Sequence, residues 1–317
     1  MDISKLSFDV AILNDEHYYH HHFDNDLAGF KACQGWVKSF RTSALFCMEA
    51  TGIYGLALAK YLVSHQQKVI VANPIQTHAF AKMEMMRNKT DKADAMSIAR
   101  YCQHLDRQGR SDKSLYTPKE ADFERLQFLV TRLDQLNKMR SQENNRFDVS
   151  LDKAAARSVK AMLTFIDKQL SNIKKAIAKI VKQNDSLNTQ VHLLTSIIGL
   201  GDKTAWSILA YIGDISLFEN AKQMSSYAGL NPRIERSGSS INRTRLSKMG
   251  NARLRKSLYM PALVAVRFNP IMMAFYTKLL AKGKPKKLAL VAVMRKLLVL
   301  AYGVLKSGEK FDVNYQH

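Results

Sequence analysis

Arg87-Asn88-Lys89-Thr90-Asp91-Lys92-Ala93-Asp94-Ala95 is the stretch on which the reading of this chain turns. Asp91 and Asp94 stand three apart at what reads as a helix start, so both carboxylates share one helix face. Arg87, Lys89 and Lys92 surround them. Paired carboxylates among cations suit a divalent metal that meets a phosphate. The same residues also describe an ordinary helix N-terminus, with Thr90 as cap and the acids complementing the helix dipole. The stretch alone leaves both readings open.

Working toward the N-terminus, the pattern is one of strands and helices in alternation. Phe8–Leu13 reads as a strand, Asn14–Glu16 as a turn and His17–Phe23 as the returning strand. Strand neighbours alternate faces, so His20, His21 and His22 cannot all converge on one ion. Residues 26–39 read as a helix, 43–48 as a buried strand and 53–65 as a helix. Residues 68–72 form a further strand, stopped by Asn73-Pro74. Helices follow over 76–86 and from the opening stretch to about Cys102. The first ~105 residues are therefore expected to form an α/β domain with a mixed sheet. Glu49 lies just past a strand C-terminus, where open α/β sheets hold their sites.

Toward the C-terminus, 105–117 is polar, closes on Pro118 and reads as a linker. Two long helical patterns follow, to about Asp148 and from Asp152 to about Asn184. Leu126, Leu129, Val130, Leu133 and Leu136 recur at helical spacing, as do Met162, Phe165, Ile166, Leu170, Ile173, Ile177 and Ile180. Such a pair suits a helical hairpin, a dimerising coiled coil, or packing against the chain's own core. From Ser186 onward the chain reads as a second, mainly helical domain. The expected boundaries are 1–105, 106–185 and 186–317.

The composition points to a polyanionic partner. The formal charge is +21 and the pI about 9.8 over 317 residues. Self-repulsion on that scale calls for nucleic acid or an anionic membrane surface. The longest apolar stretch, 288–305, is interrupted by Arg295 and Lys296, which argues against a membrane span. Met1–Lys5 carries no signal-peptide pattern, and Cys33, Cys47 and Cys102 lack CxxC spacing. Both suit a cytoplasmic protein with reduced thiols.

Three constellations could carry chemistry. Asp2, Glu49, Asp91 and Asp94 each sit at an element end and could converge as a two-metal site for phosphoryl transfer. They could equally be separate surface acids. The second is Ile198-Gly199-Leu200-Gly201-Asp202-Lys203, where an apolar helix breaks and a new one begins. It looks like a helix–hairpin–helix, with Gly199, Gly201 and Lys203 at a DNA phosphate. A plain glycine-capped turn is the other reading. The third runs from Arg233 to Lys256, with eight Lys or Arg and one acid, Glu235. It includes Arg236-Ser237-Gly238-Ser239-Ser240, Arg243, Arg245 and Lys248. Serines among arginines could supply a nucleophile for a phosphodiester, or only hydrogen bonds to phosphates.

Taken together, these motifs resemble the DEDD transposases of the insertion sequence 110 family, relatives of the Piv-type DNA invertases. The resemblance runs nearly end to end. It is carried by Asp2-Ile3-Ser4-Lys5 with Phe8-Asp9-Val10, Met48-Glu49-Ala50-Thr51-Gly52-Ile53-Tyr54, Asn73-Pro74 and the opening stretch. Further on it is carried by Ile198–Gly201, Tyr227-Ala228-Gly229-Leu230, Ser237–Ser240 and Leu258-Tyr259-Met260-Pro261-Ala262.

The resemblance implies a RuvC-like (RNase H-like) N-terminal domain whose DEDD acids map onto Asp2, Glu49, Asp91 and Asp94. These would bind magnesium, with manganese as a substitute. Thr51 and Asn88 would orient them. It also implies a C-terminal transposase domain with Ser237 as nucleophile. Ser239, Ser240, Arg87, Lys89, Arg233, Arg236, Arg243, Arg245 and Lys248 would hold phosphates. The reaction it implies is recombination of donor and target double-stranded DNA through a covalent serine–DNA link. A structured bridge RNA would act as guide. Homodimers would assemble into a homotetramer through the long central helices, with no membrane involved. An RNA-independent invertase and a metal-dependent nuclease are the alternatives. Family members usually carry several residues before the first aspartate, completing the first of three opening strands. Here only two such strands are legible, and Asp2 is expected to fray.

Overall fold

The structure is a computed structural model. It describes residues 1–312 apart from 15–16, 42, 51, 86–89, 151 and 238–240, and within 234–244 the backbone alone. The chain divides into two compact units, Met1–Pro118 and Lys119–His317.

The first unit opens with three antiparallel strands, β1 (Asp2–Ile3), β2 (Ser7–Asn14) and β3 (His17–Asp24). This corrects the expectation of two. β1 is only two residues long, too short to show an alternation in the sequence. Asp2 pairs with Asp9 and Ile3 with Phe8. Nor does the start fray. Met1 and Ile3 are buried, and the Met1 ammonium donates a 2.8 Å hydrogen bond to Cys47 O. Cys47 belongs to β4 (Leu45–Glu49), which pairs in parallel with β5 (Lys68–Ala72). The bond from Met1 therefore sets the β1 edge of the three-stranded sheet beside β4 of the two-stranded one.

Alternation along these strands gives each face its helices. Met1, Ile3, Phe8, Val10, Phe46 and Met48 share a core with α1 (Leu27–Lys38) and α2 (Leu56–Ser64). Asp26 caps α1 through Gly29 N. Cys47, Ile70 and Ala72 pack instead on Ile98, Tyr101, Cys102 and Leu105 of α4 (Asp91–Arg107). Between β5 and α4 lies α3 (Pro74–Met83), capped by Asn73 through Ile75 N.

The polar stretch read as a linker is built into this unit. Helix α4 runs on to Arg107, a 3-10 turn follows over Asp112–Ser114, and Leu115 bridges to Ile70. Tyr116 N donates to Val69 O. A free sheet edge satisfies its backbone groups with whatever chain lies alongside, and polarity in the sequence does not reveal that.

The second unit is mainly helical. Its elements are α5 (Ala121–Asp148), α6 (Lys153–Gln183), α7 (Asp185–Thr195), α8 (Asp202–Ile212) and α9 (Ala221–Tyr227). A hairpin of β6 (Pro232–Ser237) and β7 (Ile241–Leu246) follows, then α10 (Ala252–Ser257), α11 (Tyr259–Phe268), α12 (Pro270–Ala281) and α13 (Lys286–Ser307). The apolar stripes of α5 and α6 meet in one core with α7 and α8. Arg140 reaches across the helix pair to Asp167 at 2.6 Å. Helix α13 is long and apolar enough to cross a membrane by length and composition. Its Leu290, Val293, Met294, Leu297, Leu298 and Ala301 are buried in the core of this unit, and Lys296 stands 4.7 Å over the Phe275 ring.

Candidate functional site

Sheet alternation turns two of the acids toward α4. Met1 and Ile3 face α1 and α2, so Asp2 between them faces α4. Glu49, one residue past Met48, takes the same face. Asp91 and Asp94 occupy the first turn of α4, where Thr90 Oγ1 accepts from Ala93 N at 3.1 Å. Thr90 is thus the cap, and a capped start holds both acids toward the sheet. The electrostatics register this grouping. Burial first, then the charges of Asp94, Asp91 and Glu49, push the Asp2 carboxyl above the usual carboxylate range, against the pull of the N-terminal ammonium. The ammonium itself is lowered by burial.

Asp2, whose ionisation burial and the three neighbouring carboxylates make costly, forms with them a hard, oxygen-only donor set, the kind a divalent cation relieves. Among the described residues, however, no three His, Cys, Asp or Glu side chains stand close enough to hold a metal ion as they are. The donor chemistry fits such an ion, while the side chains have not closed to coordinating distance.

Two further groups shape this face. Thr77 is buried on α3 and donates through Oγ1 to Glu49 Oε2 at 3.1 Å, while His78 Nε2 lies 3.9 Å from Oε1. Thr77 escaped the sequence reading. Its only signal was Asn73-Pro74, which starts α3 and sets Thr77 one turn in. Thr51 and Asn88, expected to orient the acids, lie outside the described residues, as do Arg87 and Lys89. The other aspartate that could serve in place of Asp2, Asp9, is engaged by His20 Nε2 at 2.7 Å and His22 Nδ1 at 2.9 Å. His21 stacks on Phe23, its ring centroid 4.5 Å away. The histidine run splits between faces as alternation requires.

In the second unit, the glycine break between α7 and α8 has a tertiary cause at one of its two positions. Gly199 has φ +109°, and a Cβ there would lie 2.7 Å from Ala265 Cβ of α11. Its close approach is therefore to a helix of its own chain. At Gly201 nothing stands within 4 Å of a Cβ. Gly201 caps α8 in extended conformation, and Lys203 is exposed in the first turn. An open helix start of this kind can meet an anion.

The basic run folds as a β-hairpin. Arg233 pairs with Arg245, Glu235 with Arg243, Arg236 with Asn242 and Ser237 with Ile241. Interleaved Ile234, Ile241 and Thr244 favour strand, a signal that the density of charge obscured. Ser237 ends β6, and Ser239 and Ser240 lie outside the described residues. Arg245 and Lys248 are exposed, and Lys248 holds φ +55°.

An acid-faced α/β unit in one chain with a basic helical unit suits a protein that works on nucleic acid. Comparisons with known proteins make the class specific. Residues 191–277 match the Transposase IS116/IS110/IS902 family, and residues 1–155 match a DEDD family of IS110 type described as Transposase. The Pilin gene-inverting protein of Moraxella lacunata is 33% identical over 318 residues, covering 98% of this chain and 96% of that protein. The transposase for insertion sequence element IS1111A of Coxiella burnetii is 32% identical over 101 residues, 32% of this chain and 27% of its own length. The insertion element IS110 43.6 kDa protein of Streptomyces coelicolor is 26% identical over 157 residues, 46% of this chain and 39% of its own length. The chain belongs to the IS110 family of transposases and DNA invertases. It is a DNA recombinase, and its DEDD family type implies use of a divalent metal.

Proposed function

We propose that this protein cuts and rejoins DNA through a covalent serine–DNA intermediate, with Ser237 as nucleophile and Asp2, Glu49, Asp91 and Asp94 as the metal-holding acids. The observation that supports the proposal is the grouping of Glu49, Asp91 and Asp94 near Asp2, whose carboxyl is raised by burial and by these three charges. The three antiparallel strands β1–β3 set beside the parallel pair β4–β5, with α4 packed on the sheet, support a RuvC-like (RNase H-like) reading of the first unit. A bound magnesium or manganese ion would supply charge neutralisation at the scissile phosphate and ease ionisation of the serine hydroxyl. The Ser237 Oγ forms the new bond to phosphorus, the bond to the 3′ oxygen breaks, and a free 3′ hydroxyl is left for strand exchange. Thr77 fixes the rotamer of Glu49. Arg233, Arg236, Arg243, Arg245 and Lys248 on and beside the hairpin hold phosphates, and the α8 start with Gly201 and Lys203 holds another.

Sequence choice, on this reading, is delegated to a bridge RNA that pairs with donor and target DNA. A net charge of +21 suits binding of both nucleic acids. Exposed Phe128, Met139, Met162 and Phe165 on the long helices support their use in building dimers and then a tetramer. The protein acts in the cytoplasm, at the nucleoid. The 96% coverage of the pilin gene-inverting relative also favours a second reading, inversion of a DNA segment without a guide RNA.

One experiment separates these. The protein is purified with its co-transcribed RNA, the RNA is sequenced, and cleavage is assayed with magnesium for wild type, Ser237→Ala and Asp91→Ala. The serine reading expects both variants to stop cleavage, and no protein–DNA adduct to form without Ser237. Cleavage that survives Ser237→Ala but not Asp91→Ala would instead indicate a metal-dependent nuclease. A single structured RNA supports guidance, whereas random cellular RNA supports the invertase.

A further inference from the structure

The β6–β7 hairpin leaves its unit at two roots, Leu246 beside them packing on the core, and both roots meet one side chain. Arg255 of α10 donates through the same nitrogen, Nη1, to Ala228 O at 2.9 Å and to Lys248 O at 3.2 Å. Ala228 lies on the entering root and Lys248 on the leaving one. Backbone bonds continue the pairing below the hairpin, from Ser247 N to Asn231 O at 2.9 Å, Lys248 N to Gly229 O at 3.2 Å and Asn251 N to Tyr227 O at 2.6 Å. Gly250 allows the last of these. Its φ is +137°, and a Cβ there would lie 2.3 Å from Tyr227 O. Tyr227 is in turn tied to α8 by its hydroxyl, which donates to Tyr211 O at 2.9 Å. Lys248 sits at φ +55°, a conformation that side chains other than glycine take at a cost and that surrounding bonds must hold.

We propose that Arg255 is a positioning residue for strand cleavage: it clasps the two roots and so sets the tilt of the hairpin that carries Ser237. This rests on the reading of Ser237 as nucleophile. The physical reason is leverage. Ser237 stands five residues beyond Pro232, so at ~3.3 Å per strand residue it lies roughly 17 Å from the root. A rock of about 10° at the root then moves it by about 3 Å, enough to lose an in-line attack, where roughly 1 Å already matters. A guanidinium suits the task because its planar donors have fixed directions, whereas a lysine ammonium is a mobile point charge. Arg255 is half-buried, and its neighbours Leu254 and Leu258 are fully buried. The packing of α10 therefore does not depend on it.

The test compares full-length wild type, Arg255→Ala, Arg255→Lys and Ser237→Ala, each loaded with its RNA. Three quantities are read: affinity for DNA, rate of protein–DNA adduct formation, and tryptic cutting between Arg233 and Lys248 mapped by mass spectrometry. The clasp expects Arg255→Ala to lower the adduct rate tenfold or more, to change DNA affinity by less than twofold, and to raise the cutting rate in the hairpin. Arg255→Lys should fall between wild type and alanine, and it decides the matter if the alanine variant does not fold. Wild-type adduct rates in both variants overturn the proposal. So does a loss of affinity that matches the loss of rate, since Arg255 would then be a phosphate contact. An adduct formed by Ser237→Ala refutes the nucleophile reading alone, and hairpin cutting then judges the clasp.

Discussion

Asp2 shows how one residue can be both costly and useful. Its carboxyl is raised by burial and by Asp94, Asp91 and Glu49, so the folded state holds its proton to higher pH than the unfolded chain does. Below the ordinary carboxylate range both states are protonated and there is no penalty. As pH rises through that range and past the raised value, folding loses stability. Asp2→Asn should therefore raise the Tm of chelator-treated protein at neutral pH, and the gain should vanish below the ordinary carboxylate range, about pH 4. Melting curves across pH, with cleavage assayed in parallel, check this, and cleavage should be lost. No gain in Tm at neutral pH would mean that neither burial nor the neighbouring acids penalise the charge on Asp2. Thr77 offers a second test at this scale. Thr77→Val keeps the shape but removes the donor to Glu49. It should cut magnesium-dependent cleavage about tenfold, on the scale of lost supporting hydrogen bonds around metal ligands, with little change in melting.

At the scale of elements, the break between α7 and α8 separates two roles that the sequence merged. Gly199 serves packing against α11, and Gly201 keeps a helix start open. Gly199→Ala should destabilise the protein by about 1–3 kcal/mol, as overpacking does. Adding Ala265→Gly should recover the steric share of that loss and leave the cost of the positive φ, as read by urea unfolding. A Gly201→Ala variant should melt near wild type. Most elements were legible because caps and periodicity are local. Thr90, Asp26 and Asn73 each mark a helix start that the structure retains. The elements that escaped were a two-residue strand, a chain segment bridged to β5, and a hairpin hidden under arginines. Each owes its form to pairing with a distant stretch, which local pattern does not encode.

At the scale of the whole molecule, charge dominates. With a formal charge of +21, DNA affinity should fall steeply with salt. If the hairpin and α8 start make about six or more phosphate contacts, affinity drops on the order of 10³-fold between 50 and 200 mM salt. Titrations across salt give the slope, and a flat response would rule out phosphate-dominated binding. The two units have separate hydrophobic cores. Calorimetry should accordingly resolve two transitions, with magnesium raising only the one that belongs to residues 1–118.

Composition and short-range order in the sequence determine the partner class, the alternation of strands and helices in the first half, and which acids stand at element ends. These follow from side-chain charge, from the periods of strand and helix, and from capping chemistry, all of which act within a few residues. Tertiary structure alone decided that Asp2 and Glu49 face α4 with Asp91 and Asp94, that Thr77 holds Glu49, and that Arg255 joins both roots of the hairpin. Those outcomes depend on strand order and on helices packed across a sheet, so groups tens of residues apart meet only once the core has formed. The opening aspartates were open to two readings as a helix start. The sheet behind them, with Asp2 raised by burial and then by their charge, adds an acidic cluster to what is otherwise a capped turn.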